Sequence, residues 1–124
     1  MAPRDIQIFV SLSKQDKETS KRFDQVASRE AVTIYKAEFE ALKPPAWQTV
    51  TDALQNSKAL IFLVGPKLVE AKTKGSKEWS QINGWIGYQV GVALALKLDV
   101  WVICDNHVEI NFPVPYVNNY SLGI

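Results

Sequence analysis

The sequence predicts an α/β domain in three layers, a central parallel sheet of about five strands with helices on both faces. Three observations carry this. Short apolar, β-rich runs recur along the chain, at IQIFVS (6–11), AVTIY (31–35), KALIFLVG (58–65) and DVWVICD (99–105). Segments with helical spacing lie between them, and alternation of strand and helix makes a parallel sheet. The KALIFLVG run is almost continuously apolar, as a strand covered on both faces must be.

The elements follow in order. IQIFVS runs into Leu12, Ser13, Lys14, Gln15 and Asp16, so a buried strand gives way to a polar loop. Residues 16–29 place Phe23, Val26 and Ala27 at helical spacing among charges, which predicts a surface helix. AVTIY is the second strand. KAEFEALKPP reads as a loop, because Pro44 and Pro45 bar a helix across them but suit a helix start. AWQTVTDALQNS (46–57) then sets Trp47, Val50 and Leu54 on one helical face. After KALIFLVG, residues 69–84 are polar with Gly75 and Gly84 as punctuation, and are expected to be largely loop. WIGYQVGVALALK (85–97) is the next helix and DVWVICD the next strand. Residues 111–122 contain Pro113 and Pro115 and allow at most a short edge strand. This is a flavodoxin-like arrangement. In such sheets ligands bind outside the carboxyl ends of the strands. The informative loops are therefore those after Val10, Tyr35, Val64 and Cys104.

Bulk properties narrow the function. The chain has 124 residues, 47% apolar and 22% charged, which is the size and composition of one globular domain. It reads as a single domain over 1–124, open to being a piece of a longer multidomain protein. The net charge is +1, so no field draws nucleic acid or anionic lipid. Lys67, Lys72, Lys74 and Lys77 cluster, but Glu70 and Glu78 interleave with them, and the segment reads as a solvated loop. Cys104 is the only cysteine, so no intramolecular disulfide forms, which suits the cytosol. Cys104 and His107 have a ligand-like gap, yet His107 is the only histidine and the pair cannot complete a usual zinc site. No metal is expected. The N-terminus lacks the apolar stretch of a signal peptide, and the runs ALIFLVG and VGVALALKL are too short to span a bilayer. The expectation is a cytoplasmic domain without membrane or nucleic-acid partners.

Several uses of the architecture fail. Neither G-x-G-x-x-G nor G-x-x-x-x-G-K-S/T occurs. A phosphoacceptor domain needs an acidic cluster at the end of the first strand and an Asp after the third. Here those places hold Ser11, Leu12, Ser13 and Lys14, and Gly65 and Pro66.

DIQIFVSLSKQD resembles the opening strand and loop of Toll/interleukin receptor (TIR) domains. AWQTVTDALQNSKALIFLVGPK resembles their second helix and third strand, with an aromatic near the helix start. GWIGYQVGVALALKLDVWVI resembles the helix that carries W-x-x-x-E in NAD-cleaving members, with Gln89 where the Glu belongs. The likeness runs through nearly the whole chain in order. It implies NAD as substrate, with no separate cofactor, and cleavage of the nicotinamide–ribose bond in immune or stress signalling. It also implies roles. Gln89 takes the place of the catalytic Glu and Trp85 that of the helix Trp. Trp47 becomes the residue stacked on nicotinamide, and Ser11, Leu12, Ser13 and Lys14 the loop that holds the rest of the dinucleotide. The same resemblance implies self-association through the loop after the second strand, where Phe39 and Leu42 stand out among polar residues.

The residue types suit this chemistry. Breaking a ribosyl–pyridinium bond develops positive charge on the sugar, which a fixed carboxylate in a dry pocket stabilises. Trp85 and Gln89 are four apart and share a helix face. Glutamine keeps nearly the shape of glutamate without its charge, so binding can persist while transition-state stabilisation is lost. A natural binding domain and a deliberately inactivated copy of an enzyme both fit that pattern. Plainer roles stand beside the functional ones: core packing for Trp85, capping of the sheet edge for Trp47, turn hydrogen bonds for Ser11 and Ser13, solvent exposure for Lys14, and an ordinary exposed helix position for Gln89. Two other classes remain open. One is a non-catalytic TIR-type module acting by homotypic assembly. The other is a nucleoside deoxyribosyltransferase-like enzyme, whose E-I-G-x-A helix YQVGVALALK resembles, again with Gln for Glu; SLSKQD departs from the Gly-Pro loop of that family.

Overall fold

A computed structural model describes residues 6–42, 46–75, 77–105 and 119–122. Pro44, Pro45, His107, Pro113 and Pro115 lie outside the described residues. Five parallel strands, β1 (Ile6–Leu12), β2 (Val32–Glu38), β3 (Ala59–Val64), β4 (Asp99–Cys104) and β5 (Asn119–Leu122), form one sheet in the order β2-β1-β3-β4-β5. Among the described residues four α-helices accompany them: α1 (Lys17–Ala27), α2 (Ala46–Gln55), α3 (Pro66–Lys74) and α4 (Lys77–Ala95). The three-layer expectation is met, and the short fifth strand is parallel to β4.

Strand alternation sorts the core into two. Phe9 on β1, Leu60, Phe62 and Val64 on β3, and Val100 and Val102 on β4 pack with Val50 and Leu54 of α2 and Ile82, Ile86 and Val90 of α4. On the other face Val10, Leu12 and Leu63 pack with Phe23 of α1, flanked by Ile8, Ile34 and Ile103. Both faces of β1 and β3 are thus covered, which is why these strands read as unbroken apolar runs.

Two strands run further than the hydrophobic pattern suggests. β1 continues to Leu12, and β2 takes in Lys36, Ala37 and Glu38, whose polar side chains flank one buried alanine. The segment 69–84, expected as loop, is helical for most of its length. α3 starts on Pro66, which has no N–H to satisfy at the first helical position, and stops at Gly75 in the left-handed region at φ 59°. α4 then begins at Lys77, eight residues before Trp85. Lys67, Lys72 and Lys74 therefore sit on α3 and Lys77 on α4, not on a loop; Lys74 pairs with Glu70 at 2.7 Å.

A remote cap joins the first loop to α3. Gly65 precedes α3 and has no side chain to cap it, and Asp16 supplies the carboxylate from 51 residues away in sequence. Asp16 Oδ1 accepts from the backbone N–H of Lys67 at 2.8 Å and Oδ2 from that of Leu68 at 3.0 Å. Only glycine fits at position 65, because a Cβ there would lie 2.4 Å from Asp16 Cγ and 2.6 Å from Thr19 Oγ1. Among the described residues no helix is long and apolar enough to cross a membrane.

Candidate functional site

The sheet order reverses at β1 and β3, since β2 lies on one side of β1 and β3 on the other. Crevices at such a switch point bind ligands. Four loops meet at this edge. Ser13 to Asp16 follow β1. A 3-10 turn at Phe39–Ala41 follows β2, Gly65 follows β3, and Asp105 follows β4.

Hydrogen bonds fix their geometry. Glu40, on the 3-10 turn, accepts from the Ser13 hydroxyl through Oε2 and from the Lys14 backbone N–H through Oε1 at 2.9 Å. Ser13 Oγ also accepts from the Gln15 N–H at 3.3 Å. Asp105 accepts from Thr19 Oγ1 at 2.9 Å and from Arg22 Nη1 at 3.1 Å, tying α1 to the end of β4. Asp16, buried between them, has its carboxyl pushed above the ordinary value. Burial is the main cause. The Lys67 and Leu68 N–H groups pull the other way, and the charges of Glu40 and Asp105 add to the rise.

Two cavities open here. One, of about 380 Å³, is polar and is lined by Ser13, Lys14, Glu40, Lys67, Lys74 and Glu78 among others. The second, of about 630 Å³, is an aromatic cleft between α2 and α4, lined by Leu42, Trp47, Gly84, Trp85 and Tyr88. Glu40 and Gln81 line both, so the cavities adjoin. Trp85 and Tyr88 meet edge to face, 5.8 Å between centroids at 89°. The Tyr88 hydroxyl lies 2.5 Å from Thr51 Oγ1, which holds α4 against α2.

The residues singled out from sequence divide between these places. Ser13 and Lys14 line the polar cavity; Trp47, Trp85 and Leu42 line the aromatic one. Trp47 is 52% exposed, while Trp85 is half-buried and also packs against the core. Ser11 and Leu12 are buried. Phe39 is not on the docking surface that the resemblance implies: it is 3% exposed and belongs to the core beneath its own turn. An apolar side chain on a short polar turn has more to gain from α4 and the sheet than from solvent.

Gln89 occupies neither cavity. Nor is it the exposed helix residue that the plainer reading expects: it lies on the buried stripe of α4 with Ile82, Ile86, Val90 and Ala93, and is 0% exposed. Its Oε1 accepts from the Ser11 hydroxyl, which alternation turns to the same face as Phe9. Its Nε2 has no hydrogen-bond partner among the described residues. An unpartnered buried donor of this kind costs about 1–3 kcal/mol. Trp85, one turn earlier, packs against the core and lines the cleft.

Sequence reasoning did not single out Glu40, Gln81 or Tyr88. Tyr88 had a signal, since it is one residue from Gln89 and three from Trp85. Cys104 is buried, and burial pushes its thiol up, away from the thiolate that a nucleophile needs. Among the described residues no group of His, Cys, Asp and Glu side chains is arranged to hold a metal ion. Compared with known proteins, the chain matches no family model and no curated protein.

Proposed function

We propose that the chain is a TIR-type nucleotide domain that binds NAD at the switch-point edge, and that Gln89 leaves it weak or silent in cleaving the nicotinamide–ribose bond. One observation carries this reading: an aromatic cleft adjoins a polar cavity, lined by Lys14, Lys67 and Lys74 together with Glu40, Glu70 and Glu78, through the shared Glu40 and Gln81. A dinucleotide needs those two surroundings side by side, a flat apolar surface for a ring and polar groups for phosphate and ribose. Trp47 is the ring's platform, and Ser13, Lys14, Lys67 and Lys74 surround the polar part.

The role of residue 89 in this reading is indirect as the loops stand. It anchors Ser11, whose strand feeds the loop of Ser13 and Lys14. For a side chain at 89 to reach a ribose, Trp85 or that loop must shift. Homotypic assembly keeps only Leu42 of its expected surface pair, because Phe39 is inside.

Incubation of NAD with the chain and with Gln89→Glu tests the proposal. Binding by both, with nicotinamide release faster in Gln89→Glu by roughly 10²–10³, is the expected result. Binding without release by either removes the cleavage part. Release of free base from deoxynucleosides instead supports the deoxyribosyltransferase-like reading. No binding of NAD removes the proposal.

A further inference from the structure

We propose that α3 is a movable wall of the polar cavity, latched by Asp16, and that it opens as a unit about Gly65 and Gly75 while the rest of the domain stays folded. This stands apart from the NAD reading, because it follows from how α3 is attached.

The attachment is slight. Leu68 is the one fully buried residue of α3, with Val69 packed half-buried against the core. By contrast α4 buries five residues and α2 three. A segment with few buried apolar contacts opens at a lower free energy than the whole domain unfolds. The ion pairs of Glu70 with Lys67 at 3.8 Å and with Lys74 at 2.7 Å begin and end on α3, so they do not fasten it to its neighbours. The first turn is fastened by Asp16, whose carboxylate accepts from the Lys67 and Leu68 N–H groups. Burial opposes the charged form of that carboxylate and the two N–H groups favour it, so opposed effects set the strength of the latch. Glycines stand at both ends, Gly65 before Pro66 and Gly75 after Lys74, and hinges are often small residues.

The place of α3 makes its opening matter. Lys67, Glu70 and Lys74 line the polar cavity together with Ser13 and Lys14 of the first loop. Asp16 closes the turn that begins at Ser13, its N–H donating to the Ser13 carbonyl at 3.1 Å. One short loop thus carries both cavity-lining residues and the latch, so a change in that loop is felt at α3. Lifting α3 draws two lysines and one carboxylate out of the cavity. The aromatic cleft is left as it was, because no α3 residue is among those that line it.

Amide hydrogen exchange of the whole chain, followed residue by residue, is the test. In the unaltered chain the α3 amides should share one protection level, well below that of β1 and β3. Asp16→Asn should lower α3 protection about tenfold, as the loss of a helix cap does. Gly65→Ala, which displaces the same carboxylate, should act in the same direction and serves as the second variant. Val50→Ala, a core change under α2, should lower the protection of β1 and β3 and leave that of α3 unchanged, since α3 opens without disturbing Val50. If α3 is as protected as the strands, or falls with them in Val50→Ala, it opens only when the domain unfolds and the proposal is overturned. If neither Asp16→Asn nor Gly65→Ala changes α3 protection, Asp16 is no latch and the proposal is overturned as well.

Discussion

Ser11 on β1 and Gln89 on α4 are joined by a hydrogen bond inside the core, 78 residues apart in sequence, while the Gln89 amide nitrogen has no partner among the described residues. Ser11→Ala should therefore destabilise the fold by about 1–3 kcal/mol, because it leaves the whole amide of Gln89 unsatisfied. Combining it with Gln89→Met should recover most of that loss, since both polar groups are then gone. Urea denaturation of the two single variants and the double variant gives the coupling. Additive losses would mean the pair is not coupled.

Trp47→Ala should weaken nucleotide binding and leave folding nearly untouched. The indole is 52% exposed, and exposed substitutions usually change stability by no more than ~0.5 kcal/mol. Its backbone carbonyl, which accepts from Thr51 Oγ1 at 2.8 Å, is unaffected. Melting temperature and NAD titration on the same preparation separate the effects. A sharp fall in melting temperature with unchanged affinity would make Trp47 a packing residue.

Phe39→Asp should unfold or severely destabilise the monomer. The side chain is buried, and losing a core Phe alone costs about 3–5 kcal/mol. Sedimentation and circular dichroism of the variant decide the matter. A folded variant that merely assembles less would restore Phe39 to an interface.

Gly65→Ala should cost about 1–3 kcal/mol, because its Cβ would displace the Asp16 carboxylate from the start of α3. Asp16 also sets a pH dependence. Its carboxyl lies above the ordinary 3.8 in the native state, so the folded chain holds the extra proton. Stability from this group is fully present below pH 3.8 and falls as pH rises through the native value. The stability difference between the unaltered chain and Asp16→Asn should shrink over that window. A difference that grows instead would contradict the direction of the shift.

How much of this the sequence carried depended on the kind of signal. β1, β3 and β4 were legible because burial on both faces leaves unbroken apolar runs. α3 was not, because Leu68 is its only fully buried residue and its other positions are half-buried or exposed. Gly65-Pro66 and Gly75 marked its ends all the same. Gln89 was read through its likeness to Glu, while its place in the 82, 86, 89, 90, 93 stripe pointed inward. Trp47, Trp85, Ser13 and Lys14 stood out in the sequence, but their division between two cavities depends on how α2, α4 and the first loop pack. Glu40 gave no signal, being one acid among several on a polar stretch.

The sheet order has a consequence for synthesis. β1 is made first and can pair with β2 once residue 38 has emerged, yet its other edge waits for β3 at 59–64. Until then a nascent chain exposes an apolar strand with a free row of backbone donors and acceptors, a template for pairing with another chain. Products truncated before residue 59 should collect in the insoluble fraction, whereas the whole chain closes that edge on itself.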